Sequence, residues 1–252
     1  MILHAAAMGQ GPPVALLHGL FGQSRNFATL QKQLAATHRV LALDLRNHGQ
    51  SPHAPGMTYP TQAEDVLETL RHHAALPGTL IGHSMGGKVA MAAALAAPAA
   101  VTRLLVADIA PIRYPPHFDD IIAAMRAMTL HPGLTRAEAA AQLAPVTATE
   151  SLRGFLLQNL NFTGTPAWRI GLEEIAAAQP DISDWPATDD APSRVPTLVV
   201  AGERSDYVRP EHRELFRTLF PNARFATLRN AGHWLHADNQ EGFLALVQAF
   251  LT

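Results

Sequence analysis

The stretch Gly82-His83-Ser84-Met85-Gly86-Gly87-Lys88 concentrates residue types that do chemistry. Two spacings overlap in it. Gly82 to Lys88 reads G-x-x-x-x-G-K, the order of a phosphate-binding loop, whose next residue must be Ser or Thr to bring a hydroxyl to Mg²⁺. Residue 89 is Val, so that ligand is missing. Gly82 to Gly86 is a complete G-x-S-x-G, in which a sharp strand-to-helix turn lifts a serine hydroxyl above a sheet. Glycine at both ends removes side chains that would collide in so tight a turn. The helix that follows favours negative charge near its first residues. Ser84 is therefore the candidate nucleophile of an acyl transfer.

Such a serine needs an oxyanion hole, a base, and an acid that orients the base. His18-Gly19-Leu20-Phe21-Gly22 follows an apolar run and lets backbone approach a substrate closely. The Leu20 and Met85 N–H groups are the expected oxyanion donors. For the base, His233 follows Gly232 after the last candidate strand, and His236 is its rival three residues on. Neither His72-His73 nor His233/His236 makes the H-E-x-x-H zinc pattern. The chain has no cysteine among its 252 residues, which removes thiol nucleophiles, thiolate metal sites and disulfides, while histidine numbers 13. Covalent catalysis must then use oxygen or nitrogen, and no metal or organic cofactor is called for.

Short apolar runs position these residues. Val14–Leu17, Val40–Leu43, Thr79–Ile81, Leu104–Ala107 and Thr197–Ala201 are continuously apolar, as in parallel strands covered on both faces. Arg224–Leu228 alternates more and belongs nearer an edge. Helical spacing marks Phe27–Ala35, Ala63–His73, Gly87–Ala97, Glu211–Phe220 and the C-terminal segment, which Asp238 and Glu241 would open as a capping box. Strand–helix alternation implies an α/β fold with a mostly parallel, doubly wound sheet. From Pro111 to Pro192 the alternation stops and no clear strand is visible; helical patches recur instead. The expected organisation is a core of residues 1–110 and 193–252, with residues 111–192 inserted as a helical cap.

Taken together, His18 to Gly22, Asp44-Leu45-Arg46-Asn47-His48-Gly49, Gly82 to Lys88, Asp108-Ile109-Ala110-Pro111 and Gly232-His233-Trp234 resemble the α/β-hydrolase superfamily over nearly the whole chain. Within it they are similar to the small bacterial YbfF-type esterases and their mitochondrial relatives. Most members of the superfamily carry the triad acid three residues after a Gly that ends the strand before last. Here that position, counted from Gly202, is Ser205, and Asp206 lies one residue later. One residue can reverse a side chain on an extended segment, so Asp206 is not automatically equivalent. In the subfamily the resemblance instead places the acid after the preceding strand, at Asp108, with Ser205 supporting it by a hydrogen bond. Asp206 remains the alternative acid.

The resemblance implies a serine hydrolase cleaving small carboxylic esters, with acyl thioesters such as acyl-CoA a further class. Phe21, Phe118, Met125, Trp168 and Trp234 are the expected substrate-contacting residues. Three other readings stand beside it: an idle binding module of the same fold, a cofactor-free haloperoxidase, and a C–C hydrolase. Net charge is −2, charged residues make up 16%, and Lys32 and Lys88 are the lysines. No basic stripe is present for nucleic acid or anionic lipid. No apolar run reaches the length of a membrane span, and the N-terminus has no signal-peptide pattern, so a cytoplasmic protein without membrane insertion is expected. The sequence does not specify an oligomeric state.

Overall fold

Each apolar run becomes a strand because its two faces are buried in different cores. The computed structural model describes residues 1–115, 118–186 and 190–252. Along β2 (Pro13–Leu17), β3 (Arg39–Leu43), β4 (Gly78–His83), β5 (Val101–Ala107) and β8 (Thr197–Gly202), neighbouring side chains enter opposite hydrophobic clusters. Leu41, Leu80, Leu104 and Val199 face one cluster; Val40, Ile81, Leu105 and Val200 face the other. Sheet-facing residues of α2 (Tyr59–His72) and α3 (Met85–Ala96), such as Val66, Leu70 and Val89, complete the first. Residues of α1 (Ala28–Leu34) and α11 (Gln240–Leu251), such as Leu34, Phe243 and Val247, complete the second. The period-two alternation of a strand thus accounts for runs that look uniformly apolar in sequence.

With β1 (Ala5–Met8) and β9 (Ala223–Leu228), the seven-stranded sheet has the order β1-β3-β2-β4-β5-β8-β9, β1 antiparallel and the rest parallel. β9 lies at the edge, where its half-exposed alternation suits it. After β2 the chain adds β3 on one side, then returns to place β4 on the other. The carboxyl ends of β2 and β4 therefore flank a reversal of strand order, the place where doubly wound sheets open a crevice. That crevice lies between the His18–Gly22 loop and Ser84.

Between β5 and β8 lie α4 (Asp119–Ala127), α5 (Arg136–Leu143), α6 (Glu150–Leu157), β6 (Leu160–Asn161), β7 (Ala167–Trp168), α7 (Leu172–Ala177) and α8 (Gln179–Ser183). Residues 116, 117 and 187–189 of the expected cap span lie outside the described residues. The helical patches form as expected, but the sequence reading missed the β6–β7 ribbon, which pairs Leu160 with Trp168 and Asn161 with Ala167. Two-residue strands carry no readable period. The reading also missed β1, an alanine-rich segment that becomes a strand only through its register on β3. The capping box expected from Asp238 and Glu241 is not what opens α11. Asn239 is the N-cap, accepting from Gly242 N, and Asp238 ends a separate short helix, α10 (Leu235–Asp238). No described helix is long and apolar enough to cross a membrane. Helix α9 (His212–Leu219) packs Phe216 beneath β9.

Candidate active site

Register brings the candidate residues together. His83 pairs with Ala107 across β4 and β5, so Ser84 and Asp108, each the next residue, leave the sheet at the same level. The Ser84 N–H donates to Ala107 O at 3.0 Å and the Asp108 N–H to Val200 O at 2.8 Å. Both residues then turn through positive φ, 53° at Ser84 and 52° at Asp108. Non-glycine residues in sparsely populated backbone regions cost on the order of 1–3 kcal/mol each and persist only when packing holds them. Here Gly82 makes the turn possible: a Cβ on it would strike the Gly86 carbonyl.

His233 comes from the loop after β9. Its Nε2 lies 2.9 Å from Ser84 Oγ and its Nδ1 2.8 Å from Asp108 Oδ2. The Asp108 side chain is fully buried, and its two oxygens accept from three groups. Gly202 N–H donates to Oδ1 at 2.9 Å; the Ser205 hydroxyl donates to Oδ2 in a short hydrogen bond, beside His233 Nδ1. Such a carboxylate can be buried because its lone pairs are met by donors. Asp206, the alternative acid, is exposed, and its carbonyl takes Arg209 Nε. No hydrogen bond or ion pair joins it to His233 among the described residues.

The rival base is accounted for as well. His236 packs against Phe27 and His83 with ring centroids 4.8 and 5.0 Å away, and burial lowers its pKa to about 4. It reaches neither Ser84 nor Asp108 by a hydrogen bond among the described residues. His83, beneath it, donates from Nε2 to the His233 carbonyl at 2.7 Å, and burial holds its pKa well below the ordinary value. Tyr207 stacks on the His233 ring at 3.9 Å and 19°. Local spacing assigns neither His83 nor Tyr207 a role, because each acts through a neighbour far away in the chain.

The loop opposite is braced by two neutral imidazoles. His18 Nδ1–H donates to Gly19 O at 2.8 Å while its Nε2 accepts from Leu45 N at 2.9 Å. His48 Nδ1–H donates to Arg46 O at 2.8 Å while its Nε2 accepts from Phe21 N at 3.1 Å. A ring nitrogen that accepts an N–H is unprotonated, so both rings are neutral. Burial agrees, lowering the His18 pKa and pushing His48 to about 3. Arg46 pairs with Asp65 at 2.5 Å and holds the Pro55 and Gly56 carbonyls, so it braces this loop rather than facing a ligand. A Cβ on Gly19 would lie 3.0 Å from Ser84 Cβ, which measures how closely the loop approaches the serine. Leu20 and Met85 follow Gly19 and Ser84, as the oxyanion reading requires.

Phe21, Phe118 and Trp234 line the pocket over Ser84, joined by Leu152 and Phe155. Met125 and Trp168 do not line it. Met125 is buried in the first core and its carbonyl accepts from Trp168 Nε1 at 3.1 Å, so helical spacing reported packing there. Lys88 decides the competing phosphate-loop reading. It is 1% exposed, and its ammonium is held by main-chain carbonyls rather than presented to a phosphate.

The model of the α/β-hydrolase fold family matches residues 12–240. The chain belongs to this family. Among relatives of the α/β-hydrolase, the sn-1-specific diacylglycerol lipase ABHD11 of Mus musculus is 39% identical over 96% of this chain and 81% of its own length. Esterase YbfF of Escherichia coli K12 is 35% identical over 95% of this chain and 93% of its own length. The solved structure of a marine microorganism esterase superposes with a TM-score of 0.94 at 36% identity, covering 99% of each chain. These relationships support a carboxylesterase-type hydrolase.

Proposed function

We propose that the protein is a serine carboxylesterase working through an acyl-enzyme. Ser84 Oγ attacks an ester carbonyl carbon while His233 Nε2 takes its proton. The Leu20 and Met85 N–H groups receive the oxyanion, Asp108 keeps His233 in the Nδ1–H tautomer, and the alcohol leaves with the proton from His233. His233 then activates water, which releases the acid and regenerates Ser84. The observation that carries this reading is the unbroken chain Ser84 Oγ, His233 Nε2, His233 Nδ1, Asp108 Oδ2, with links of 2.9 and 2.8 Å. The relatives named esterase and lipase support ester chemistry. An apolar pocket lined by Phe21, Phe118, Phe155 and Trp234, with no arginine among the described lining residues, suits an uncharged ester better than an anionic acyl-CoA. Phe118, Leu152 and Phe155 of the inserted segment line that pocket, which supports the reading of the insert as a cap.

A fluorophosphonate probe should label the native protein at Ser84, and Ser84→Ala should abolish both labelling and turnover. A panel of p-nitrophenyl esters and acyl-CoAs should show faster turnover of esters. A protein that neither labels nor cleaves would be an idle binder of the same fold, and one that labels but prefers C–C or peroxide substrates would belong to the other readings.

A further inference from the structure

Lys88 has no place in the chemistry above, yet it is one of the most completely buried side chains in the protein. It lies one turn into α3, the helix that Ser84 opens. Its ammonium lies 2.8 Å from Ile112 O, 2.6 Å from Asp184 O and 3.5 Å from Ser183 O. The rings of Tyr59 and Tyr114 flank it, with centroids 5.2 and 5.0 Å away. An unpaired ammonium would be strongly disfavoured in such a place, but three N–H donors are here set against three carbonyls and two aromatic faces.

The source of those carbonyls matters. Ile112 stands where the chain leaves β5 for the inserted segment; Ser183 and Asp184 stand where it leaves α8 to return. One side chain from beneath Ser84 therefore grips both legs of the insert. Neighbouring contacts run the same way: Tyr114 N donates to Ser183 O at 2.8 Å, and the Tyr59 hydroxyl to Ile182 O at 2.6 Å. The Tyr114 hydroxyl donates to Tyr207 O at 2.6 Å, and Tyr207 is the residue stacked on His233. Lys88, Tyr59, Tyr114 and Ser183 also line a second compartment that opens on Ser84.

We propose that Lys88 is a positioning residue, a clamp that joins both legs of the inserted segment to the nucleophile helix and so fixes the wall of the ester-binding compartment. A methionine of similar volume would fill the space but leave the carbonyls of both legs without their donor. The role in ester binding rests on the esterase reading; the clamp itself does not.

The test compares wild type with Lys88→Met, and the two readouts separate the claims. In hydrogen exchange, amides of residues 112–114 and 182–185 should exchange about tenfold faster in the variant, with the central strands still protected. In kinetics, KM for p-nitrophenyl hexanoate should rise about fivefold, with a smaller fall in kcat. Because the chain has no cysteine, Lys88→Cys can be alkylated in urea with 2-bromoethylamine, which rebuilds an ammonium at that site alone. After refolding, this protein should regain the wild-type KM relative to wild type taken through the same cycle. Unchanged exchange in both legs would overturn the clamp, as would loss of protection throughout the sheet, which would make Lys88 a general folding residue. Faster exchange with unchanged KM would overturn its part in ester binding. Wild type that cleaves no ester would sink the esterase reading while the exchange result still judged the clamp.

Discussion

At the scale of single residues, the decisive contrast is between two aspartates. Asp108 is enclosed with three donors around its carboxylate, while Asp206 faces solvent. Asp108→Asn should therefore lower kcat by about 10⁴, through loss of the useful imidazole tautomer, and Asp206→Asn should change it by less than about threefold. Steady-state kinetics on the two folded variants would check the ranking. The histidines divide in the same way. His48 is neutral in the fold with its pKa near 3, against an ordinary value of 6.5, so the unfolded chain binds the extra proton between those limits. Stability from this group is complete above pH 6.5 and is lost as pH falls toward 3. His18, His83 and His236 are shifted in the same direction. Urea midpoints should drop between pH 7 and pH 4.5, and His48→Gln should flatten that slope.

At the scale of elements, the two loops that meet at Ser84 use glycine for different ends. Gly82 lets strand turn into helix, and its missing Cβ is the space occupied by the Gly86 carbonyl. Gly82→Ala should cost about 3 kcal/mol of unfolding free energy, the upper range for forced overpacking, measurable by urea titration. Gly19 instead lets the opposite loop approach, with its would-be Cβ 3.0 Å from Ser84 Cβ. Gly19→Ala should leave the urea midpoint nearly unchanged and lower kcat about 100-fold, because it displaces the oxyanion donor. The strands and long helices were legible in the sequence because burial on both faces demands continuous apolar runs. β1 and the β6–β7 ribbon were not, since their pairing depends on a distant partner rather than on their own residues.

At the scale of the whole molecule, the inserted segment does not carry a separate core. Ile122, Met125, Leu143 and Leu156 belong to the same buried cluster as Val89 and Leu104. One continuous cluster implies one cooperative unit. Tryptophan fluorescence, with Trp168 and Trp185 in the insert, should therefore melt together with far-UV circular dichroism. An earlier fluorescence transition would show that the insert has its own stability.

The sequence by itself determined the candidate nucleophile, its glycine turn, the histidine and the alternation of strands and helices. Each of these is written in local spacing, where a turn geometry or a buried face permits few residue types. For the acid it offered two aspartates and favoured Asp108 through the family resemblance alone, because spacing does not say which strand ends stand level in the sheet. The tertiary structure sets Asp108 level with Ser84 through the pairing of His83 with Ala107, and within 2.8 Å of His233. It also separated pocket from packing among the aromatic residues, sending Trp168 to the Met125 carbonyl and Trp234 to the wall of the pocket that holds Ser84. And it gave Lys88, which ends a phosphate-loop spacing in the sequence, to three carbonyls at the feet of the insert. Those partners lie far along the chain, and only folding places a donor and its acceptors within reach.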